Sequence, residues 1–413
     1  MRIGIFTDTY PPYINGVSTS VSMLENALRK QGHEVFIVTV NTEKLAYNME
    51  NDNRIIRIPG IPIGIYDYRL TGIYPLKAIS KIQKSNLDVI HSHTEFGVGT
   101  FARIIAKQYD IPLVHTYHTM YEDYVHYITK GYFDGASKKI VEYLTNFYCD
   151  QTASELIVPT KKTYDLFKEK YRYERNVHII PTGIEIDRFY NENFKNNEVD
   201  DLRKEYNIKK DDFVVLFVGR LGTEKSVDVL IECHADLAKK NPNLKLVIIG
   251  DGPDGDMFKN LAKKLKVEDS VIFTGKVPWE RIPLYYQMAT VFATASTTET
   301  QGLTVIEAMA ASKPIVAVDD ESYKIIVVDD LNGKLFKNKK EYRKILESLI
   351  KDPKKVKYMG TQARNSAEPY SSKYFAERVL SVYEKAIEPT NKKKKTLRFK
   401  FKEFYRRFIY GKK

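Results

Sequence analysis

The chain has 413 residues, 43% of them hydrophobic, and a formal net charge of +12. That length exceeds one ordinary core and predicts two domains of about 150–200 residues each. Its two cysteines, Cys149 and Cys233, exclude a disulfide framework; no run reaches the ~18 apolar residues of a membrane span, and the opening Met1-Arg2-Ile3-Gly4-Ile5-Phe6 reads as a strand and not a signal peptide.

Strands are predicted at Ile3–Thr7, Glu34–Val40, Arg54–Ile58, Asp88–His91, Pro112–Thr116, Glu155–Val158 and Val177–Ile180, with helices such as Val17–Lys30 and Phe96–Gln108 between them. Near-continuous apolar strands alternating with helices indicate parallel sheets covered on both faces, an α/β class. The pattern repeats with Phe213–Val218, Leu244–Ile249, Val271–Phe273, Val291–Ala295 and Pro314–Val318, after a polar, unpatterned junction at Asn191–Asp212. Two doubly wound, Rossmann-like domains follow, with a ligand cleft expected between them. Their expected bounds are 1–190 and 191–370, then a helix over 371–390 and a tail over 391–413.

Five loops carry polar groups at strand ends, where ligands of such sheets bind. After the first strand, Asp8 to Ser18 brings Gly16 to the start of a helix; it lacks the G-x-G-x-x-G spacing of a dinucleotide site. The fifth strand ends in His115-Thr116-Tyr117-His118-Thr119-Met120-Tyr121-Glu122-Asp123, too polar for packing alone, yet without H-E-x-x-H spacing, so no metal site is expected. Gly219-Arg220-Leu221-Gly222-Thr223-Glu224-Lys225 sets two cations beside two glycines, which suits a diphosphate; Gly250-Asp251-Gly252-Pro253 forms a tight turn. In Ser296–Pro314, Glu299 and Glu307 flank Gly302, where a strand must turn into a helix whose N-terminus attracts an anion. Carboxylates beside an anion site suggest a ligand with phosphates and hydroxyls, as a nucleotide sugar has. Thr304-x-x-Glu307 equally fits a capping box.

Residues 391–413 hold eleven Lys and Arg against Glu403 alone, a net of +10 that leaves +2 for the other 390 residues. On a helix, Leu397, Phe401, Phe404 and Phe408 share one face beside a basic stripe of Arg398, Lys402 and Arg406, with Arg407 adjacent and Lys392, Lys393, Lys394 and Lys395 as a linker. That pattern predicts an interfacial amphipathic helix on an anionic membrane, at about 1 kcal/mol per basic residue. Lys77, Lys81 and Lys84 make a second basic face.

The ordered set G-R-L-x-x-E-K at 219–225, G-D-G-P at 250–253 and E-x7-E from Glu299 to Glu307 resembles the retaining family-4 glycosyltransferases of GT-B fold. H-S-H-T-E-F-G, H-T-Y-H-T-M-Y-E-D-Y and T-E-T-Q-G-L-T-V-I-E-A are similar to the bacterial diacylglycerol glucosyltransferases. The resemblance implies glucose transfer from UDP-glucose to 1,2-diacylglycerol on the cytoplasmic face of the cell membrane. It assigns Arg220 and Lys225 to the diphosphate, Glu307 to the ribose, Glu299 and His118 to the transferred hexose, and Gly16, Gln301, Gly302 and Leu303 to backbone contacts with sugar or phosphate. No tightly bound cofactor is implied, Mg2+ entering at most as a stimulant, and no nucleic acid. The residues depart from the family's pattern at Asn15, at Ser226 and at Asp319-Asp320-Glu321-Ser322, where glycines are common. The rivals are another lipid or soluble acceptor, a sugar-nucleotide epimerase, or a basic-tailed adaptor with a decayed site.

Overall fold

The computed structural model describes residues 1–13, 15–41, 54–62, 69–71, 76–95, 97–118, 153–299 and 301–388. The tail residues named above, Lys392 to Phe408, and the segment Thr119–Asp123 lie outside them. Two compact units emerge, one of Met1–Gly183 with Lys373–Lys413, the other of Ile184–Ser372.

Among the described residues the first unit carries seven parallel strands: β1 (Arg2–Phe6), β2 (Glu34–Val40), β3 (Ile55–Ile58), β6 (Val89–Ser92), β7 (Leu113–Thr116), β8 (Glu155–Val158) and β9 (Val177–Ile179), in the order β3-β2-β1-β6-β7-β8-β9; β4 (Gly60–Pro62) and β5 (Arg69–Thr71) form a separate antiparallel pair. Alternation divides each strand between two cores. Ile3, Ile5, Val35 and Ile37 pack with Val21, Leu24 and Leu28 of α1 (Gly16–Lys30), while Phe6, Phe36 and Val38 pack with Ile79 of α2 (Leu76–Lys84) and Phe101 and Ile105 of α3 (Gly97–Tyr109). The helix at 372–388 joins the first of these cores through Phe375, Ala376, Val379, Val382 and Tyr383, a three-to-four-residue spacing that makes one apolar stripe.

The second unit repeats the scheme with β10 (Phe213–Val218), β11 (Leu244–Ile249), β12 (Val271–Gly275), β13 (Val291–Thr294), β14 (Ile315–Val318) and β15 (Gly333–Phe336), ordered β12-β11-β10-β13-β14-β15 and parallel throughout. Val214 and Leu216 face the Leu303–Ala310 helix, and Val215 and Phe217 face the Val227–Ala238 helix.

Three expectations need correcting. The units divide at Gly183/Ile184 and Ser372/Lys373, not at 190/191 and 370/371. The stretch read as an unpatterned junction contains the Asn196–Glu205 helix, which looked polar because only one narrow side is apolar: Leu202 is buried, with Val199 packed beside it. β15 escaped notice because it is four residues long, begins with Gly333 and carries a charged Lys334.

The 372–388 helix is tied into its unit by Tyr383, whose hydroxyl lies 2.7 Å from His91 Nδ1 in a fully buried site. Tyr383→Phe leaves that nitrogen without its partner, and should lower stability by about 1–3 kcal/mol, read as a shift in urea midpoint at constant slope.

Candidate active site

In a parallel sheet whose order reverses beside its first strand, the loops leaving the carboxyl ends there run apart and open a crevice. In the second unit that point lies between β10 and β13. The loop after β10 runs Gly219-Arg220-Leu221-Gly222 into a short turn, Thr223–Lys225, and the Val227–Ala238 helix. The G-D-G-P turn braces it: Leu221 N donates to Asp251 O, Asp254 N to Leu221 O (both 3.0 Å), and Asp254 Oδ2 accepts from Thr223 N and Oγ1 at 2.6 and 2.7 Å. Gly250 is required here, since its φ is +133° and a Cβ would lie 1.9 Å from Gly219 O. A pocket of about 290 Å³ opens beside this brace, lined by Leu221, Asp251, Lys259, Phe273 and Thr274 among others.

Arg220 pairs with Glu224 and Lys225 with Glu299, which joins the loop after β10 to the loop after β13. Ser322 Oγ donates to Glu299 O at 2.5 Å and so anchors the same loop; Asp320, the N-cap of the Glu321–Lys324 helix, holds Ser322 N at 2.9 Å. The acidic stretch that departs from the glycine-rich pattern thus acts as a brace for Glu299. Gly302 is the N-cap of the Leu303–Ala310 helix, in the left-handed region at φ +72°. Glu307 makes no capping box: the helix starts one residue before Thr304, and the Glu307 carboxylate accepts from Tyr286 Oη at 2.7 Å. Although its side chain keeps some exposure, the surrounding protein desolvates it and pushes its pKa up to about 7, opposed by the Tyr286 bond and by the charge of Arg188, which stacks on Trp279 at 3.3 Å.

In the first unit the order reverses between β1 and β6. Asn15 caps α1, its side chain accepting from Ser18 N at 2.8 Å, which is why a residue with a side chain serves before Gly16. A Cβ on Gly16 would meet nothing within 4 Å. From β6 and β7 come four histidines. His115 lies 3.2 Å from Glu95 and 2.7 Å from Ser92 Oγ, and His93 Nδ1 lies 2.9 Å from His118 Nε2. Burial lowers all their pKa values, that of His118 to about 4, so the cluster is neutral at physiological pH.

A family model described as Glycosyl transferases group 1 matches residues 198–366, and one described as Glycosyltransferase Family 4 matches residues 14–188. The alpha-monoglucosyldiacylglycerol synthase of Acholeplasma laidlawii is 38% identical over 402 residues, covering 95% of this chain and 99% of that protein. The chain belongs to the family-4 glycosyltransferases. A protein of the same name from Streptococcus pneumoniae is 37% identical over 393 residues, covering 95% of this chain and 87% of that one. Sucrose-phosphate synthase from Thermosynechococcus elongatus (TM-score 0.73, 19% identity, 94% of this chain and 99% of that one) and Anabaena HepE in complex with UDP and glucose (TM-score 0.69, 18% identity, 93% and 99%) share the GT-B fold.

In this glycosyltransferase Arg220, Lys225 and Glu299 lie in the loops after the neighbouring strands β10 and β13, Gly302 and Leu303 open the helix that follows β13, and Glu307 stands on that helix against Tyr286; Gln301 is buried. Gly16 and His118 belong to the other unit. Tyr286, Ser322 and His93 bond Glu307, Glu299 and His118, and Asp254 braces the loop that carries Arg220 and Lys225; all four were missed. For Tyr286 and Ser322 no signal was available, as each lies about twenty residues from its partner; His93 was signalled by H-S-H at a strand end.

Glu307 yields a signed pH effect. Between about pH 4.5 and 7 the folded chain holds a proton that the unfolded chain has released, so this group's contribution falls as pH rises through that window. Glu307→Gln, which mimics the protonated form, should match the parent near pH 4.5 and gain on it by at most about 3 kcal/mol at pH 8, less where solvent screens the carboxylate. Paired urea midpoints at the two pH values read the difference.

Proposed function

We propose that this glycosyltransferase moves glucose from UDP-glucose to the free hydroxyl of 1,2-diacylglycerol, giving an α-glucosyl lipid with retained configuration. The reading is carried by the match, over 95% of the chain, to two alpha-monoglucosyldiacylglycerol synthases. It is supported by two cations and two carboxylates at one switch point, a set suited to a ligand that is both a diphosphate and a polyol.

Unit by unit, the roles follow from charge. As the C1–O bond breaks, negative charge grows on the diphosphate. Arg220 takes it as a fork and Lys225 as a point charge, while the Leu303–Ala310 helix offers unpaired N–H groups. Both cations pair with carboxylates, so the diphosphate competes with Glu224 and Glu299 for them. Glu299, released, accepts hydroxyls of the hexose; Glu307 accepts those of the ribose, which gives its desolvated carboxylate the partners it lacks. Backbone of Gly16, Gln301, Gly302 and Leu303 contacts sugar or phosphate, and His118 serves the hexose. The acceptor oxygen bonds to C1 on the face the diphosphate leaves, and its proton passes to a phosphate oxygen of the departing UDP.

Among the described residues no helix is long and apolar enough to cross a membrane. We assign peripheral attachment at the cytoplasmic face to residues 391–413, through Lys392–Lys395, Arg398, Arg406 and Arg407 on anionic headgroups and Phe401, Phe404 and Phe408 in the interface.

Incubated with UDP-glucose, the chain should release UDP only when diacylglycerol micelles are present, and the product should carry an α-linkage by NMR. Donor conversion without lipid would instead identify an epimerase. Arg220→Ala and Lys225→Ala should each lower kcat/KM by about tenfold to a hundredfold, the loss of one charge-assisted bond. Deleting 391–413 should abolish flotation with anionic liposomes but leave turnover on a water-soluble short-chain diacylglycerol; unchanged flotation would remove the tail from the reading.

A further inference from the structure

β6 and β7 are neighbours, with Ser92 opposite His115, so the residues just beyond them emerge side by side. His93 follows β6 and His118 follows β7. Their rings stack with centroids 5.1 Å apart and planes 23° apart, and His93 Nδ1 is 2.9 Å from His118 Nε2. His93 is 1% exposed, and its other nitrogen, Nε2, has no hydrogen-bond partner among the described residues. His91, the next ring at 4.0 Å, cannot supply one, because its nitrogens are engaged by Tyr383 Oη and Thr116 Oγ1, each at 2.7 Å.

Two nitrogens at that distance share one proton. If His118 donated it, His93 Nε2 would have to carry its own proton, a buried N–H with no acceptor. If His93 donates it, His93 Nε2 is left as a bare lone pair. Orphaned buried donors are the rarer and dearer of the two. The second arrangement therefore wins, and it has a consequence for the neighbouring ring. With Nε2 of His118 accepting, the proton of the neutral His118 ring sits on Nδ1.

We propose that His93 is a positioning residue: it locks His118 in the Nδ1–H tautomer, so that His118 donates a hydrogen bond to a hydroxyl of the transferred sugar and does not act as a base. This rests on the reading that His118 serves the hexose. It deepens that reading, because a donor at this position orients the sugar and leaves the acceptor's proton to the leaving phosphate. The depressed pKa of both rings agrees, since neither can hold a second proton at neutral pH.

The test uses the full chain labelled with 15N-histidine, with long-range proton–nitrogen spectra of the imidazoles at pH 7, the His118 signals assigned by their loss in His118→Gln. The wild type should show His118 as the Nδ1–H tautomer. His93→Leu should return it to the Nε2–H form, and lower kcat with UDP-glucose and diacylglycerol by about tenfold to a hundredfold while KM for UDP-glucose moves by less than about threefold. His93→Asn, whose amide can donate where Nδ1 did, should restore both the Nδ1–H signature and most of kcat. An Nε2–H signature in the wild type overturns the proposal. So does a fall in kcat in His93→Leu with the His118 tautomer unchanged, which would mark a packing role. If His118→Gln keeps full kcat while the wild type shows Nδ1–H, the placement of His118 at the sugar fails, and the tautomer lock alone stands.

Discussion

The molecule depends on one constraint of parallel sheets: loops can diverge from neighbouring strand ends only where the order of strands reverses. Each unit contains one such place, beside β1 and beside β10. There the backbone leaves the sheet with its last polar groups unpaired by the ladder, and near there, among the described residues, stand Arg220, Lys225 and Glu299 in one unit and His93 and His118 in the other. The buried strands behind, Ile3–Phe6 and Val214–Phe217 among them, supply a rigid base from which short loops can aim charge.

The two switch points solve the burial of polar groups differently. In the second unit charge is kept and matched, Arg220 by Glu224 and Lys225 by Glu299. Such pairs, part-exposed, contribute little to stability but hold the cations ready and in place. In the first unit the imidazoles give up their charge. Four histidines stand neutral, joined by hydrogen bonds to Ser92, Thr116, Tyr383 and each other. The second unit thus presents paired charges at its strand ends, and the first presents neutral, directional hydrogen-bonding groups.

The departures from the family's pattern become intelligible in the same terms. Asn15 caps α1 with its side chain, which a glycine could not do. The Asp319–Ser322 stretch, without glycines, gains a hydroxyl that holds the Glu299 carbonyl. Ser226 carries the left-handed conformation at φ +51° that a glycine would adopt freely, a strain of the backbone tolerated between the Thr223–Lys225 turn and the helix that follows.

Much of the architecture was legible because period and punctuation are local. Runs such as Phe213–Val218 and Leu244–Ile249 are continuous and apolar, and each ends in glycine and charge, so strand, turn and anion-binding loop could be read from a dozen residues. Short edges were not: β15 offers only Gly333–Phe336, and the Asn196–Glu205 helix buries too little to show a stripe. Arg220, Lys225, Glu299 and Glu307 could be singled out as candidates by charge in the stretches that follow a strand. Their partners were not, because Tyr286 to Glu307 and Ser322 to Glu299 are contacts across the chain that no spacing rule encodes. The absence of a capping box at Glu307 likewise turned on where the helix begins, which the left-handed Gly302 packed beside Tyr323 decides. Sequence by itself determined the alternation of strands and helices, the duplication of the sheet and the residue types at its openings, since these follow from local periodicity. Tertiary structure alone decided the strand order, the hydrogen bonds of His93 and Tyr286 and the desolvation of Glu307, because each depends on which distant segments are brought within 3 Å and on how much water they displace.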